Sequence, residues 1–290
     1  MEAINKESAL QRLKSYRKHP LSAILSLLVV ISAVITLTVL IALIAYILIK
    51  GIPNLSPELF EWEYTTENVS MMPAIINTLI ITALSLLFAL PVGICSAIYL
   101  VEYAKRGNKL VSIVRITTET LSGIPSIVYG LFGYLFFNIF LEWSYTILGG
   151  ALTLAIMILP TVINISVSSI RAVPGHLKSA SLALGATHIQ TIFKVMIPAA
   201  RSGIMTGVVL GIGRALGEAM AINLVAGGSV NLPLPFNSVR FLTTQIVSEM
   251  SYAEGLHREV LFTVGLVLFI FIMIINLVLA QVEKKGAVEK

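Results

Sequence analysis

The chain has 290 residues, of which 57% are hydrophobic and 12% are charged, and its mean hydropathy is +0.91. About a quarter of the residues of an average soluble protein are charged, and a soluble fold of this size could not bury so much apolar surface. The formal net charge of +5 would suit a nucleic-acid partner, but the basic residues cluster beside long apolar segments, where they act as orientation signals. The sequence therefore predicts an integral membrane protein that lies in lipid and binds no nucleic acid.

The apolar segments indicate six membrane-spanning helices, because a helix needs about 20 mainly apolar residues to cross the hydrocarbon core. The predicted spans are 21–49, 73–101, 121–141, 146–170, 203–227 and 259–282. The first is too long for the core of a signal peptide and no small-residue cleavage site follows it, so we expect it to be retained. The chain is thus predicted to comprise a tail (1–20), a first membrane helix (21–50), a five-helix membrane domain (71–282) and a second tail (283–290).

The distribution of basic residues orients these spans. Sixteen of the twenty lysines and arginines fall on one side of the predicted membrane, in the two tails and in the connections after the second and fourth spans. The opposite side carries Lys50, Arg240 and Arg258 together with seven glutamates. By the positive-inside rule the basic side faces the cytoplasm, so both termini are predicted to be cytoplasmic.

Residues 109–122, between the second and third spans, mix apolar and charged side chains. Arg115 and Glu119 stand four residues apart, which on a helix brings them together as an exposed ion pair. We therefore expect an interfacial helix here.

The connection 171–202 is longer than two neighbouring spans require. Gly185 is predicted to separate a short helix from a second one that begins near Thr187 and ends at Pro198, which gives a compact knob on the cytoplasmic side. The chain contains no P-loop of the form G-x-x-x-x-G-K-[ST], so energy, if it is used, must come from elsewhere. Its single cysteine, Cys95, lies in an apolar span and indicates a buried small side chain.

The fifth predicted span carries two charges, Arg214 and Glu218, which share one face of the helix because they stand four residues apart. A charge near mid-bilayer costs roughly 2.5–3.5 kcal/mol on insertion scales, so such residues face the bundle interior or a wet path. One interpretation is a salt bridge within the helix, in which Arg214 and Glu218 only neutralise each other. The other is a substrate pathway in which Arg214 offers its planar fork to an oxyanion and Glu218 holds Arg214 when the path is empty.

Glycines recur on the same span at intervals of four, a spacing that lets helix backbones approach closely. We expect them to serve helix packing. They are Gly203, Gly207, Gly211, Gly213 and Gly217.

Residues 179–198 resemble the EAA loop of ABC-importer permeases. That pattern is a Glu-Ala-Ala triplet, a glycine at fixed spacing and an Ile-x-Leu-Pro ending, of which this chain lacks the leading Glu. The matching positions are Ser179, Ala180, Ser181, Gly185, Ile197 and Pro198. The resemblance implies that the loop docks into an ATPase subunit and carries its motion to the channel.

Three further strings, at 123–133, 211–228 and 248–269, are similar to the phosphate permeases of Pst systems, and the last resembles the PstC-type subunit more than the PstA-type. The resemblance implies a type I ABC-importer transmembrane domain with cytoplasmic coupling helices, in a bacterial inner membrane. It places Arg214 and Glu218 on the substrate pathway.

The implied partners are a PstA-type permease, two PstB-type ATPases that bind the ATP and Mg, and an extracytoplasmic phosphate-binding protein. The chain itself is then expected to bind no cofactor or metal and to be no enzyme, and to translocate phosphate by alternating access. Two alternatives stay open: a permease for another oxyanion, molybdate or sulfate, and a secondary transporter that works without ATP.

Overall fold

The computed structural model describes residues 20–65, 68–104, 107–231, 234 and 236–288, so most of the predicted N-terminal tail lies outside the described residues. Within these ranges the regular structure is helical throughout. The α-helices are α1 (Pro20–Gly51), α2 (Met72–Ile98), α3 (Lys109–Ser122), α4 (Ser126–Gly133), α5 (Ile147–Arg171), α6 (Gly175–Ala183), α7 (His188–Thr191), α8 (Ile197–Leu216), α9 (Met220–Ala226), α10 (Leu242–Glu249) and α11 (Leu256–Val288). Wider π-helical turns extend α2 and α4 and join α7 to α8, at Tyr99–Tyr103, Tyr134–Phe140 and Ile192–Met196.

Long apolar helices account for the predicted membrane spans. Five are long and apolar enough to cross a bilayer: Leu21–Asn54, Met72–Tyr103, Ile147–Arg171, His188–Leu216 and His257–Val278. A sixth span arises if α3 and α4, which are bent by 105° at a short break, are counted together. The predicted all-α membrane fold is therefore confirmed for the described residues.

The centre of the bundle is α5, which packs between α2 and α8. Its residues Leu154, Ile158 and Val162 are fully buried. Close packing is possible because glycines on both neighbours face it. A Cβ added to Gly93 of α2 would lie 2.8 Å from Val162, and one added to Gly211 of α8 would lie 2.9 Å from Ile158.

Helix α1 lies at the edge of the bundle and packs mainly against α11. Tyr46 meets Phe262 edge-on, and the Thr263 hydroxyl donates to the Gly51 carbonyl at 2.9 Å. None of the most apolar stretch of α1 is buried, as expected for a helix surrounded by lipid or by a partner's helices.

Two predicted spans are broken, which corrects the expectation of continuous helices. The span predicted at 121–141 is interrupted at 123–125, where Pro125 cannot donate a backbone hydrogen bond and stands before α4 as its N-cap. The span predicted at 203–227 is interrupted between Leu216 and Met220. At the first break the chain bends by 105°.

The fifth span also begins earlier than predicted. A single helical segment runs from His188 to Leu216, so the interpretation of Pro198 as a helix end is wrong. A π-helical turn at Ile192–Met196 directly precedes this proline. We attribute the continuity to that turn, because its wider hydrogen-bond pattern accommodates a residue that has no N–H to donate.

The two ends of the bundle differ in charge. At one end, called the basic end below, the Tyr103 end of α2 and the Arg171 end of α5 meet α3 and residues 175–191. At the opposite end, α10 occupies part of the predicted loop 228–258. There Arg240 pairs with Glu249, donates to the Gly228 carbonyl at 3.0 Å and lies 5.7 Å above the Tyr64 ring.

Candidate functional site

Arg214 lies in the last turn of α8, half-buried inside the bundle. One guanidinium N–H donates to the Thr161 hydroxyl of α5 at 3.3 Å, and no other described side chain or carbonyl accepts a hydrogen bond from this arginine. The C-terminal end of a helix carries a partial negative charge, which favours a cation at this position. The structure thus presents an arginine whose remaining donors are available to a ligand or to water.

Glu218 follows the end of α8 and caps the start of the next helix, α9. Its Oε1 accepts a hydrogen bond from the Ala221 backbone N–H at 3.0 Å, and its carbonyl accepts one from the Thr243 hydroxyl at 2.7 Å. The negative charge therefore sits beside the positive N-terminal end of α9. Among the described residues no ion pair joins Arg214 and Glu218. The prediction that the two share one helical face is wrong, because α8 ends between them.

The two helix breaks lie next to each other. Helix α4, which follows the first break, packs on α9, which follows the second. The contact is so close that a Cβ added to Gly130 would lie 2.6 Å from the Ala221 Cα. The Tyr129 hydroxyl donates to the Leu121 carbonyl at 2.7 Å, which bridges the first break.

A polar face on α5 leads from Arg214 toward the basic end. Thr161, Asn164, Ser168 and Arg171 recur at three- and four-residue intervals and so share one side of the helix. The last three line a cavity of about 250 Å³. Asn164 and Ser168 also line a neighbouring cavity of about 620 Å³ beside α8. Sequence reasoning missed this face, although the regular spacing of its residues could have revealed it.

The five glycines of the fifth span fall into two groups. Gly203, Gly207 and Gly211 face α5, where an added Cβ would lie 2.2 Å, 3.2 Å and 2.9 Å from its nearest neighbours. A Cβ added to Gly213 would meet no atom of another element within 4 Å, and one added to Gly217 would meet only the Gly213 carbonyl, at 3.4 Å. Packing within this chain therefore does not explain Gly213 and Gly217, which lie on an open surface on either side of Arg214.

The helical knob, residues 175–191, consists of α6, a tight turn and α7. Gly185 has φ +84° and closes α6: its N–H donates to the Leu182 carbonyl at 3.0 Å and the Ala186 N–H donates to the Ser181 carbonyl at 3.2 Å. Thr187 then caps α7 through reciprocal bonds with Gln190. The predicted helix–glycine–helix order is therefore present.

The triplet that resembles the EAA motif lies on α6. The Ser179 hydroxyl donates within its own helix, at 3.1 Å to the His176 carbonyl. The Ser181 hydroxyl lies 3.0 Å from that of Thr191, which ties α6 to α7. Ala180 lies between them, while Ile197 and Pro198 begin α8 outside the knob. The knob's exposed apolar side chains include Leu184, which is 89% exposed.

Replacing Gly185 with alanine should lower the free energy of unfolding by about 1–2 kcal/mol, because an L-residue in a left-handed conformation is strained. No atom lies within 4 Å of the added Cβ, so no steric clash contributes. Gly175 is the matched control: it is equally open and its φ is not positive. Unfolding of both variants in mixed detergent–SDS micelles tests this, and equal stabilities would contradict the assignment of strain to Gly185.

Comparison with known proteins identifies the family. The pattern described as "Binding-protein-dependent transport system inner membrane component" matches residues 89–285. The chain belongs to this family. The probable ABC transporter permease protein YqgH of Bacillus subtilis (strain 168) is 35% identical over 274 residues, 86% of this chain and 88% of YqgH. The phosphate transport system permease protein PstC of Pasteurella multocida (strain Pm70) is 32% identical over 255 residues, 78% of this chain and 79% of PstC.

The fold of the family is shared as well. The crystal structure of a bacterial ABC transporter involved in the import of the acidic polysaccharide alginate aligns with a TM-score of 0.63 at 16% identity, covering 95% of this chain and 99% of that chain. The predicted ABC-importer permease fold and the similarity to Pst permeases are therefore confirmed. As a family member, the chain is a multi-pass membrane transport component that works with a partner permease, an ATPase and a binding protein.

Proposed function

We propose that this permease translocates inorganic phosphate into a bacterial cell, as the PstC-type half of a channel completed by a PstA-type subunit. The observation that carries the proposal is Arg214: a half-buried arginine at a helix break, with one protein acceptor and an open surface beside it. A guanidinium offers paired N–H groups whose geometry matches two oxygens of a phosphate.

The pathway runs from Arg214 along the polar face of α5 to the basic end. Thr161, Asn164 and Ser168 offer hydroxyl and amide groups that replace part of the anion's hydration at successive levels. Arg171 then provides a positive charge where the path reaches water. Glu218 accepts a hydrogen bond from the Ala221 N–H and forms no ion pair with Arg214, so it leaves the arginine available to the anion.

The helical knob is the docking site for a PstB-type ATPase. Three large apolar side chains, Leu184, Ile189 and Phe193, are 89%, 60% and 60% exposed at and beside the knob. Such a patch fits a groove in a protein partner. With the knob in contact with a cytoplasmic ATPase, the basic end faces the cytoplasm, and so do both termini if six spans are present.

The opposite end then faces the binding protein. The proposed transporter contains two ATPase subunits, which bind the ATP and Mg, and an extracytoplasmic phosphate-binding protein that delivers the substrate. The mechanism is alternating access, in which ATP binding brings the two knobs together and opens the path outward, and hydrolysis returns it to the inward-open state.

Uptake of radiolabelled phosphate by proteoliposomes that contain the four-subunit membrane complex and the loaded binding protein tests the proposal. We expect uptake that depends on ATP and is not inhibited by an excess of sulfate or molybdate. Uptake of molybdate or sulfate in place of phosphate would assign the permease to another oxyanion. Uptake that persists without ATP would contradict the ATP-driven mechanism and favour a secondary transporter.

A further inference from the structure

Helix α6 of the knob has few apolar contacts with the rest of the chain. None of its residues is buried, and Leu177 and Leu182 are 37% and 42% exposed. A rigid connection between α6 and the membrane helices therefore depends on polar contacts. The structure describes two such contacts from α6 side chains to other elements, one of which, from Ser181 to Thr191, stays within the knob.

The other contact reaches the membrane helix α2. The Glu102 carboxylate, in the π-helical turn that ends this helix, is 3% exposed, and its Oε2 lies 2.5 Å from the Lys178 Nζ of α6. The His188 Nε2 of α7 lies 3.9 Å from the same oxygen, and the His188 ring meets Tyr103 edge-on at 5.3 Å. One buried carboxylate thus touches both helices of the knob.

A buried carboxylate is costly unless charged or hydrogen-bonded partners compensate for its lost hydration. Glu102 therefore holds Lys178 more firmly than an exposed glutamate could, because separating them would leave a charge in a dry site. The chain also lacks the glutamate that begins the EAA pattern, and Ser179 at that position bonds only within its own helix. The charged contact of this loop comes instead from Lys178, the preceding residue.

We propose that Glu102 is a positioning residue that makes the knob and α2 move as one body, so that displacement of the knob by the ATPase moves a membrane helix. The inference rests on the proposed function, because it takes the knob as the ATPase docking site. In this arrangement the Glu102 carboxylate, at the end of α2, contacts both Lys178 of α6 and His188 of α7. The salt bridge then transmits force and takes no part in substrate binding.

Glu102→Gln in the assembled transporter tests this positioning role. The variant keeps the size of the side chain and removes the charge. We expect phosphate transported per ATP hydrolysed to fall about tenfold or more, while the rate of ATP hydrolysis stays within about twofold, since a charged hydrogen bond is lost but the ATPase is intact. The double variant Glu102→Lys with Lys178→Glu should restore coupling, because it rebuilds the pair with exchanged charges.

Glu249→Gln is the matched control. Glu249 also forms an ion pair, with Arg240, and its side chain is 19% exposed, but it lies at the opposite end of the bundle and does not touch the knob. We expect its transport per ATP to equal that of the wild type. Unchanged coupling in Glu102→Gln, or equal losses of coupling in Glu102→Gln and Glu249→Gln, would overturn the proposal. If Glu102→Gln does not assemble, the charge-exchange variant decides: recovery supports the proposal and no recovery overturns it.

A second measurement is independent of the substrate. Spin labels at His176→Cys of the knob and Leu87→Cys of α2, two exposed positions outside the proposed docking patch, report the distance between the two elements in a Cys95→Ser background. We expect this distance to stay constant when the ATPases bind ATP, and to change or broaden when Glu102→Gln is added. A distance that changes in the protein with an intact Glu102 would refute rigid coupling, even if the transporter carries another anion. If the distance between the labels stays constant but the transporter takes up no phosphate, only the assignment of phosphate as the substrate is contradicted.

Discussion

Replacing Arg214 with lysine should reduce phosphate uptake at least tenfold. Lysine keeps the positive charge but loses the planar fork, so it can no longer hold two oxygens of one phosphate in parallel. Hydrogen bonds to charged groups contribute about 1.5–3 kcal/mol, which corresponds to a tenfold to hundredfold change in rate if they are lost along the path. Arg214→Ala, which removes the charge as well, should abolish uptake. Initial rates of radiolabelled phosphate uptake into proteoliposomes provide the measurement.

Arg201→Lys is the control for this substitution, because Arg201 is an exposed arginine on the same helix α8. We expect its uptake to remain within about twofold of the wild type, as is usual for exposed charges. Glu218→Gln removes the negative charge but keeps the helix cap, since a glutamine carbonyl can still accept a hydrogen bond from the Ala221 N–H. Slower uptake in that variant would support a role for the negative charge. Normal uptake in both Arg214→Lys and Glu218→Gln would refute the pathway.

Replacing Gly130 with alanine should lower the free energy of unfolding by about 1–3 kcal/mol, the usual cost of overpacking. The added Cβ would lie 2.6 Å from the Ala221 Cα. Rotation of a side chain cannot relieve a collision with backbone, so α4 and α9 must move apart. Since these two helices follow the two breaks near Arg214, the same substitution should also slow transport. Unfolding in mixed detergent–SDS micelles measures the first effect.

Gly213→Ala is the matched control for stability. Gly213 is also helical, and no atom lies within 4 Å of its added Cβ. Alanine is a better helix former than glycine, so this variant of the isolated chain should be more stable by about 0.5–1 kcal/mol. If the two variants had the same stability, the close contact between α4 and α9 would not exist in the protein.

The positions of most membrane helices followed from the sequence because the bilayer imposes a simple rule. Segments long and apolar enough to cross it must be helical, and the helices α2, α5 and α11 lie close to the predicted ranges. The knob was equally predictable, because Gly185 with φ +84° is a local stop signal that needs no tertiary context.

The helix breaks could not be predicted from apolar content. Residues 216–220 remain mixed and helix-compatible, and it is Thr243 of a distant helix that binds the Glu218 carbonyl at the break. The four-residue spacing of Arg214 and Glu218 therefore indicated a pair that the structure does not contain. Pro198 shows the converse, since a π-helical turn allows a helix to pass through a residue that normally ends one.

Contacts between distant segments also could not be predicted from the sequence. Arg214 meets Thr161 and Glu102 meets Lys178 across 53 and 76 residues, and no periodicity links such partners. The polar face of α5 was the exception, because its residues recur at helical intervals within one span. Arg214 itself could be predicted as a site residue from the sequence, because a charge in a membrane is costly and therefore indicates a functional position.

The proposed function requires that an oxyanion passes beside Arg214 in a path open to water. The reactivity of Gly213→Cys, the adjacent open position, in the assembled transporter tests this requirement. Cys95 is replaced with serine in this variant, because Cys95 is exposed and the prediction of a buried cysteine is wrong. We expect a charged, water-soluble thiol reagent to modify this cysteine and phosphate to slow the modification. A cysteine that the reagent cannot reach, or one modified at the same rate with and without phosphate, would contradict this requirement.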